Sequence, residues 1–319
     1  MKPFRPAWWL RNRHLQTLFP VFFSCAKKLQ LHRETFFLPD GDFIHLDWTI
    51  NHNSKKPILL LLHGLEGSST SHYIQRIMRK AVENNYIAVC LHFRGCSGET
   101  NNKLKSYHAG ETKDLDAVME AFAVRFSSSQ SIFTVGFSLG GNVLLKWLAE
   151  SALTSRVSKA VAVSVPFELA GSAHALHKGF SKFYEWWLIK CLKRSLIKKK
   201  NIFLENNFNY DEKKINSFWE FDQYITAKIN GFEDVHDYYN KSSSKHYLKN
   251  ISTQTLIVHA KDDPFLFEKY IPNSYEVSTT VKLEITQYGG HLGFVTGKIP
   301  LVPEYWIDNR IFNFIGKEK

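Results

Sequence analysis

Gly136-Phe137-Ser138-Leu139-Gly140 has the G-x-S-x-G spacing that places a serine on a sharp turn between a strand and a helix. Glycines two residues to either side leave room for that turn, and the hydroxyl is lifted clear of the sheet. The N-terminal N–H groups of the following helix then point at developing negative charge. A serine hydroxyl is a weak nucleophile at neutral pH, so it needs a base, and the base needs a carboxylate to hold it. Standing alone, the pentapeptide also fits a glycine-rich β–α turn with no chemistry. Three further segments complete the set: His63-Gly64, Asp262-Asp263-Pro264 and Gly289-Gly290-His291. Their chain order of Ser, Asp and His is the one expected of an α/β-hydrolase.

The roles follow from need. Ser138 is the candidate nucleophile, His291 the base, and Asp263 the carboxylate that fixes the imidazole tautomer. Asp262 is the rival acid; it is read as capping or tightening the turn, because Asp263, four residues beyond His259, is better placed to aim back over the sheet. The expected oxyanion donors are the backbone N–H groups of Leu139 and Leu65.

These residues need a scaffold that gathers strand ends. Ile58–Leu62 is a continuous apolar run, as a strand covered on both faces requires. Tyr86–Leu91, Ile132–Val135, Ala160–Val165, Thr255–Val258 and Val281–Ile285 are similar, whereas Ile44, Leu46, Trp48 and Ile50 alternate as in a half-exposed strand. Helix-like segments lie between them at 72–84, 111–126, 140–151 and 301–315. The alternation predicts an α/β fold, a mostly parallel sheet with helices on both faces, and every candidate site segment follows a strand's C-terminal end. Residues 166–245 carry no buried-strand signature and are read as a helical lid inserted into a core of 1–165 plus 246–319. Phe180, Phe183, Trp187 and Leu188 fall at helical spacing, so Phe183 and Trp187 are expected to line an acyl pocket from that lid.

Composition bounds the alternatives. The 319 residues are 44% hydrophobic and 22% charged, an ordinary globular mix. No uncharged apolar run approaches the ~20 residues of a membrane span. Four cysteines, Cys25, Cys90, Cys96 and Cys191, form no C-x-x-C pair and fit a reducing cytoplasm. The apolar stretch after Arg13 is short and broken by Pro20, and Phe22-Phe23-Ser24-Cys25 is a poor cleavage or lipidation site, so secretion is not expected. No metal-ligand cluster, P-loop or dinucleotide fingerprint occurs, and neither a metal nor a cofactor is expected.

WLRNRHLQTLFP (Trp9–Pro20), HGLEG (His63–Gly67), HFRGCSGE (His92–Glu99), YHAGET (Tyr107–Thr112), SLGGN (Ser138–Asn142) and GGHLGF (Gly289–Phe294) together resemble the YheT-like family of α/β-hydrolases. The resemblance spans nearly the whole chain and weakens in 170–245. It implies a carboxylic ester hydrolase, with eukaryotic relatives acting on lipid esters, and carries the triad onto Ser138, Asp263 and His291.

The remaining signals are read more plainly. Arg94 is taken as an arginine tying loops together near the site, Cys96 as packing, and His63 as ordering its loop. The net charge of +11 is partly localised: Lys178, Lys182, Lys190, Lys193, Arg194, Lys198, Lys199 and Lys200 face Glu185 alone. Interleaved with aromatics, they suggest a lid whose lysines face water, with peripheral contact to an anionic membrane as an added role. No nucleic-acid-binding motif accompanies them. The reading is a serine esterase acting through an acyl-enzyme on short- to medium-chain or lipid-derived esters. Its rivals are an acyltransferase using an alcohol acceptor and a non-catalytic membrane-surface or partner-binding protein on the same fold.

Overall fold

The computed structural model describes residues 2–23, 29–49 and 55–316; Cys25 and Ile50 lie outside the described residues. Eight strands form one sheet: β1 (His32–Phe37), β2 (Phe43–Trp48), β3 (Ile58–Leu62), β4 (Ile87–Leu91), β5 (Ile132–Phe137), β6 (Val157–Val163), β7 (Thr255–Ala260) and β8 (Val281–Thr286). Their order is β1-β2-β4-β3-β5-β6-β7-β8. β2 pairs antiparallel with β1 and β4, and β3 to β8 are parallel. The fold is that of an α/β-hydrolase.

Strand alternation divides the core. Ile58, Leu60 and Leu62 of β3 pack with helices α3 (Lys113–Arg125) and α4 (Leu139–Glu150), while Leu59 and Leu61 pack with α2 (His72–Glu83) and the C-terminal helix α11 (Trp306–Ile315). Two differences from the expected strands have physical causes. β2 is almost wholly buried rather than half-exposed, because its polar members are enclosed in a network. Asp47 accepts from Arg33, His92 and Ser69 at 2.6–2.9 Å. β1 has a mostly exposed edge and too little apolar pattern to be visible in sequence.

Helix α1 (Arg13–Phe23) occupies the short apolar stretch after Arg13, with Pro20 inside it. Between β6 and β7 the chain runs through α5 (Leu169–Leu176), α6 (Ser181–Lys198), α7 (Lys200–Glu205), α8 (Phe218–Phe221), a π-helical turn (Asp222–Thr226), α9 (Ala227–Asn230) and α10 (Val235–Ser242). Ile189, Leu192, Leu196, Phe203, Ile215, Phe221, Ile225 and Ile229 give this region an apolar cluster of its own. Among the described residues, no helix is long and apolar enough to cross a membrane.

Candidate active site

Ser138 occupies the turn between β5 and α4 with φ 51° and ψ −122°, a conformation that costs a non-glycine residue roughly 1–3 kcal/mol. The flanking glycines make it feasible by removing bulk. A Cβ on Gly136 would lie 2.5 Å from the Gly140 carbonyl oxygen, and one on Gly140 would run into the carbonyls of Leu62 and His63. The turn therefore packs directly on the end of β3.

The loop after β8 brings His291 to the serine. His291 Nε2 lies 3.0 Å from Ser138 Oγ, and Nδ1 lies 2.9 Å and 3.1 Å from the two Asp263 carboxylate oxygens. With Nδ1–H donating to Asp263, the Nε2 lone pair faces the serine hydroxyl. Phe265 stacks flat on the imidazole at 3.9 Å between ring centroids, which fixes the ring plane. Asp263 is buried, and its Oδ1 also accepts the Phe265 N–H at 2.8 Å. Asp262 points elsewhere: it accepts the Gly290 N–H at 2.9 Å and so ties the two loops together. Burial pushes the Asp262 carboxyl up to about 6.

Leu65 and Leu139 both border the cavity at Ser138, and the backbone N–H of neither donates to a described residue. Their surroundings are firmly held. Gly64 N–H donates to Tyr73 Oη at 2.9 Å, and Glu66 N–H donates to Tyr107 Oη at 3.0 Å, whose hydroxyl returns a 2.7 Å bond to the Glu66 carboxylate. His63 is fully buried, donating through Nδ1 to the Gly64 carbonyl at 2.7 Å and accepting the Phe93 N–H through Nε2 at 3.2 Å. Burial lowers it to about 3, so it is a neutral ordering residue. Arg94 is buried and bound to Asp114, Asp40 and Asp42 at 2.6–3.0 Å, tying loops as its position suggested. Burial raises the Cys96 thiol well above its ordinary value, which disfavours the nucleophilic thiolate.

A cavity of about 1350 Å³, its open mouth included, extends from Ser138 beneath the helices that follow β6. Leu188, Leu192, Leu196, Phe221, Ile225 and Ile229 supply much of its apolar wall. Phe183 and Trp187 do not border it. They are 46% and 48% exposed, because α6 turns Tyr184, Leu188, Leu192 and Leu196 inward and puts Phe183, Trp186 and Trp187 on its outer side. The expected pocket-lining role of Phe183 and Trp187 is corrected accordingly. Spacing identified a shared helical face but could not say which face meets the cavity.

Two contributors were not read from sequence. Thr17 of α1 accepts the His291 backbone N–H at 2.9 Å, and Gln16 makes three hydrogen bonds to the backbone of Leu10 and Val295. The HLQTL segment thus clamps the histidine loop; the motif was visible, its partner was not. His259 is buried at the end of β7 with Nε2 3.9 Å from Asp263 Oδ2, too far for a hydrogen bond, and burial lowers it to about 4. Among the described residues, no group of His, Cys, Asp and Glu could hold a metal ion.

A parallel-sheet core carrying a serine on its β5–α4 turn defines the class as α/β-hydrolase. The model of the α/β hydrolase fold matches residues 57–298. "Putative esterase YheT" of Escherichia coli (strain K12) is 38% identical over 94% of this chain and 89% of its own. "Phospholipase ABHD3" of Mus musculus is 30% identical over 92% of this chain and 74% of its own. The structure of the Pyrococcus furiosus esterase Pf2001 superposes with a TM-score of 0.61 at 19% identity, over 91% of each chain, a likeness of fold. The chain belongs to the α/β-hydrolase fold family, in its YheT-like branch, and is a hydrolase of the esterase type.

Proposed function

We propose that the protein hydrolyses carboxylic esters of medium-chain or lipid-derived acyl groups through an acyl-enzyme on Ser138, with His291 as general base and Asp263 as its orienting carboxylate. The observation that carries this is His291 bridging Ser138 and Asp263 at 3.0 Å and 2.9 Å beside an apolar cavity. As Ser138 Oγ attacks the ester carbonyl, its proton passes to His291 Nε2, and Asp263 stabilises the resulting imidazolium. The carbonyl oxygen becomes an oxyanion that accepts from Leu65 and Leu139 N–H. Collapse breaks the C–O bond, and His291 returns the proton to the departing alcohol. Water then attacks the acyl-enzyme, giving its proton to His291 and releasing the carboxylic acid with Ser138 restored.

The helices after β6, residues 166–245, act in this reading as a lid over the acyl chain. Leu188, Leu192 and Leu196 of α6 would receive the chain, each buried CH₂ contributing about 0.8 kcal/mol. A panel of p-nitrophenyl esters from acetyl to dodecanoyl tests the proposal. Expected is a kcat/KM that climbs with acyl length to a medium-chain optimum, with turnover lost in Ser138→Ala and His291→Ala. Flat dependence on length would refute the acyl-chain assignment, and undiminished turnover in Ser138→Ala would refute the mechanism.

A further inference from the structure

Among the described residues, nothing covers the aromatic side of α6 that faces away from the cavity. Phe180, Phe183, Trp186 and Trp187 are 46–55% exposed, and their rings follow one another at 5.9–6.3 Å between centroids. Helix α1 lies against the start of this row: the His14 ring sits 4.5 Å from that of Phe180, and His14 Nδ1 is 3.1 Å from the Tyr184 hydroxyl. On α1, Leu15 and Phe22 are exposed, and Trp8 just before it is exposed with its indole N–H donating to the Lys298 carbonyl. Beyond Lys298, Ile299, Leu301 and Val302 are exposed as well. Apolar exposure on this scale, joined across three chain segments, exceeds what scattered surface residues provide.

Charge selects the occupant. Residues 2–23, 178–200 and 288–303 contain one acidic residue, Glu185, and it is buried. The same segments expose Lys2, Arg5, Arg11, Arg13, Lys178, Lys182, Lys190, Arg194, Lys198, Lys200 and Lys298. Glu212, 4.0 Å from Lys193, and Glu304, whose backbone pairs with that of Thr296, are acids at their border. We infer that α1, the 298–302 segment and the outer side of α6 form one docking surface for an anionic lipid bilayer. Tryptophan and phenylalanine suit the interfacial layer, and lysine and arginine suit its anionic headgroups. The surface adjoins the site: Phe180 and Tyr184 pack together, Tyr184 meets Phe265, and Phe265 stacks on His291. Docking there brings lipid beside the active histidine. That delivery role rests on the esterase reading, whereas the docking itself does not.

The test is co-sedimentation of the full chain with phosphatidylcholine vesicles, with and without phosphatidylglycerol, at low and high salt. Binding is expected only to the anionic vesicles and is released by salt. Lys182→Glu with Lys190→Glu lowers the partition coefficient at least about ten-fold. Trp186→Ser on α6 and Phe22→Ser on α1 each weaken binding, while hydrolysis of a soluble short-chain ester is unchanged in both. Ser138→Ala binds vesicles as the unaltered protein does, which separates failure of docking from failure of the chemistry. Absence of binding at low salt, or equal binding by the variants, would overturn the inference. So would self-association that the same variants abolish without any vesicle binding, since the face would then belong to a second copy of this chain.

Discussion

Thr17→Val tests whether the N-terminal helix holds His291, the proposed general base. Thr17 Oγ1 accepts the His291 N–H at 2.9 Å and donates to the Arg13 carbonyl at 2.8 Å. Valine keeps the shape and removes both bonds. The His291 N–H is then left buried without a partner, at a cost of about 1–3 kcal/mol. For a chain of this size that lowers the melting temperature by roughly 1.5–4.5 °C. Catalysis falls for a separate reason. The 3.0 Å contact between His291 Nε2 and Ser138 depends on a loop in which Gly290, Leu292 and Phe294 all have positive φ, so loosening one anchor moves the base. A small misplacement of a reacting group costs up to about 100-fold, and a loss in kcat of about ten-fold with KM nearly constant is expected. Thermal unfolding and steady-state hydrolysis of p-nitrophenyl butyrate measure the two effects, and Thr17→Ser, which retains the oxygen, should restore both. A valine variant matching the unaltered protein in both assays would refute the reasoning.

Three further outcomes follow from the geometry. Asp263→Asn should lower kcat by about 10⁴, whereas Asp262→Asn keeps an acceptor for the Gly290 N–H and should lose far less; steady-state kinetics of both variants checks this. Leu192→Trp, which fills the cavity wall, should shift the optimum to shorter acyl chains, while Trp187→Ala on the outer side leaves the length profile unchanged in the ester panel. Asp222, buried beneath Tyr239 and Thr226, is raised by burial from 3.8 to about 6, so the native state binds more protons than the unfolded chain between those values. Its contribution therefore destabilises as pH rises through about 4–6 and levels off above, by at most about 3 kcal/mol, visible as a fall in melting temperature that Asp222→Ala removes.

What sequence revealed depended on how each residue is buried. Ile58–Leu62 reads as a strand because both its faces are covered by helices, and the serine turn is legible because Gly136 and Gly140 admit no side chain there. The edge strand His32–Phe37 escaped, since it is mostly exposed and its cross-strand partners are fixed by pairing with β2 rather than by apolar pattern. Asp47 and His45 disguised β2 as half-exposed, although Asp47 is enclosed by Arg33, Ser69 and His92. The last helix begins at Trp306 rather than 301, because Glu304 and Tyr305 pair with Val295 and Thr296. The role of Thr17 could not be read at all: its partner is 274 residues away in the chain.

The central claim is that Ser138 is the acylated nucleophile. The most direct measurement is fluorophosphonate labelling followed by intact-mass analysis and peptide mapping of the adduct. One adduct per chain, mapped to Ser138, absent from Ser138→Ala and slowed in His291→Ala, is the predicted result. Labelling at another residue, or equal labelling of Ser138→Ala, would contradict it.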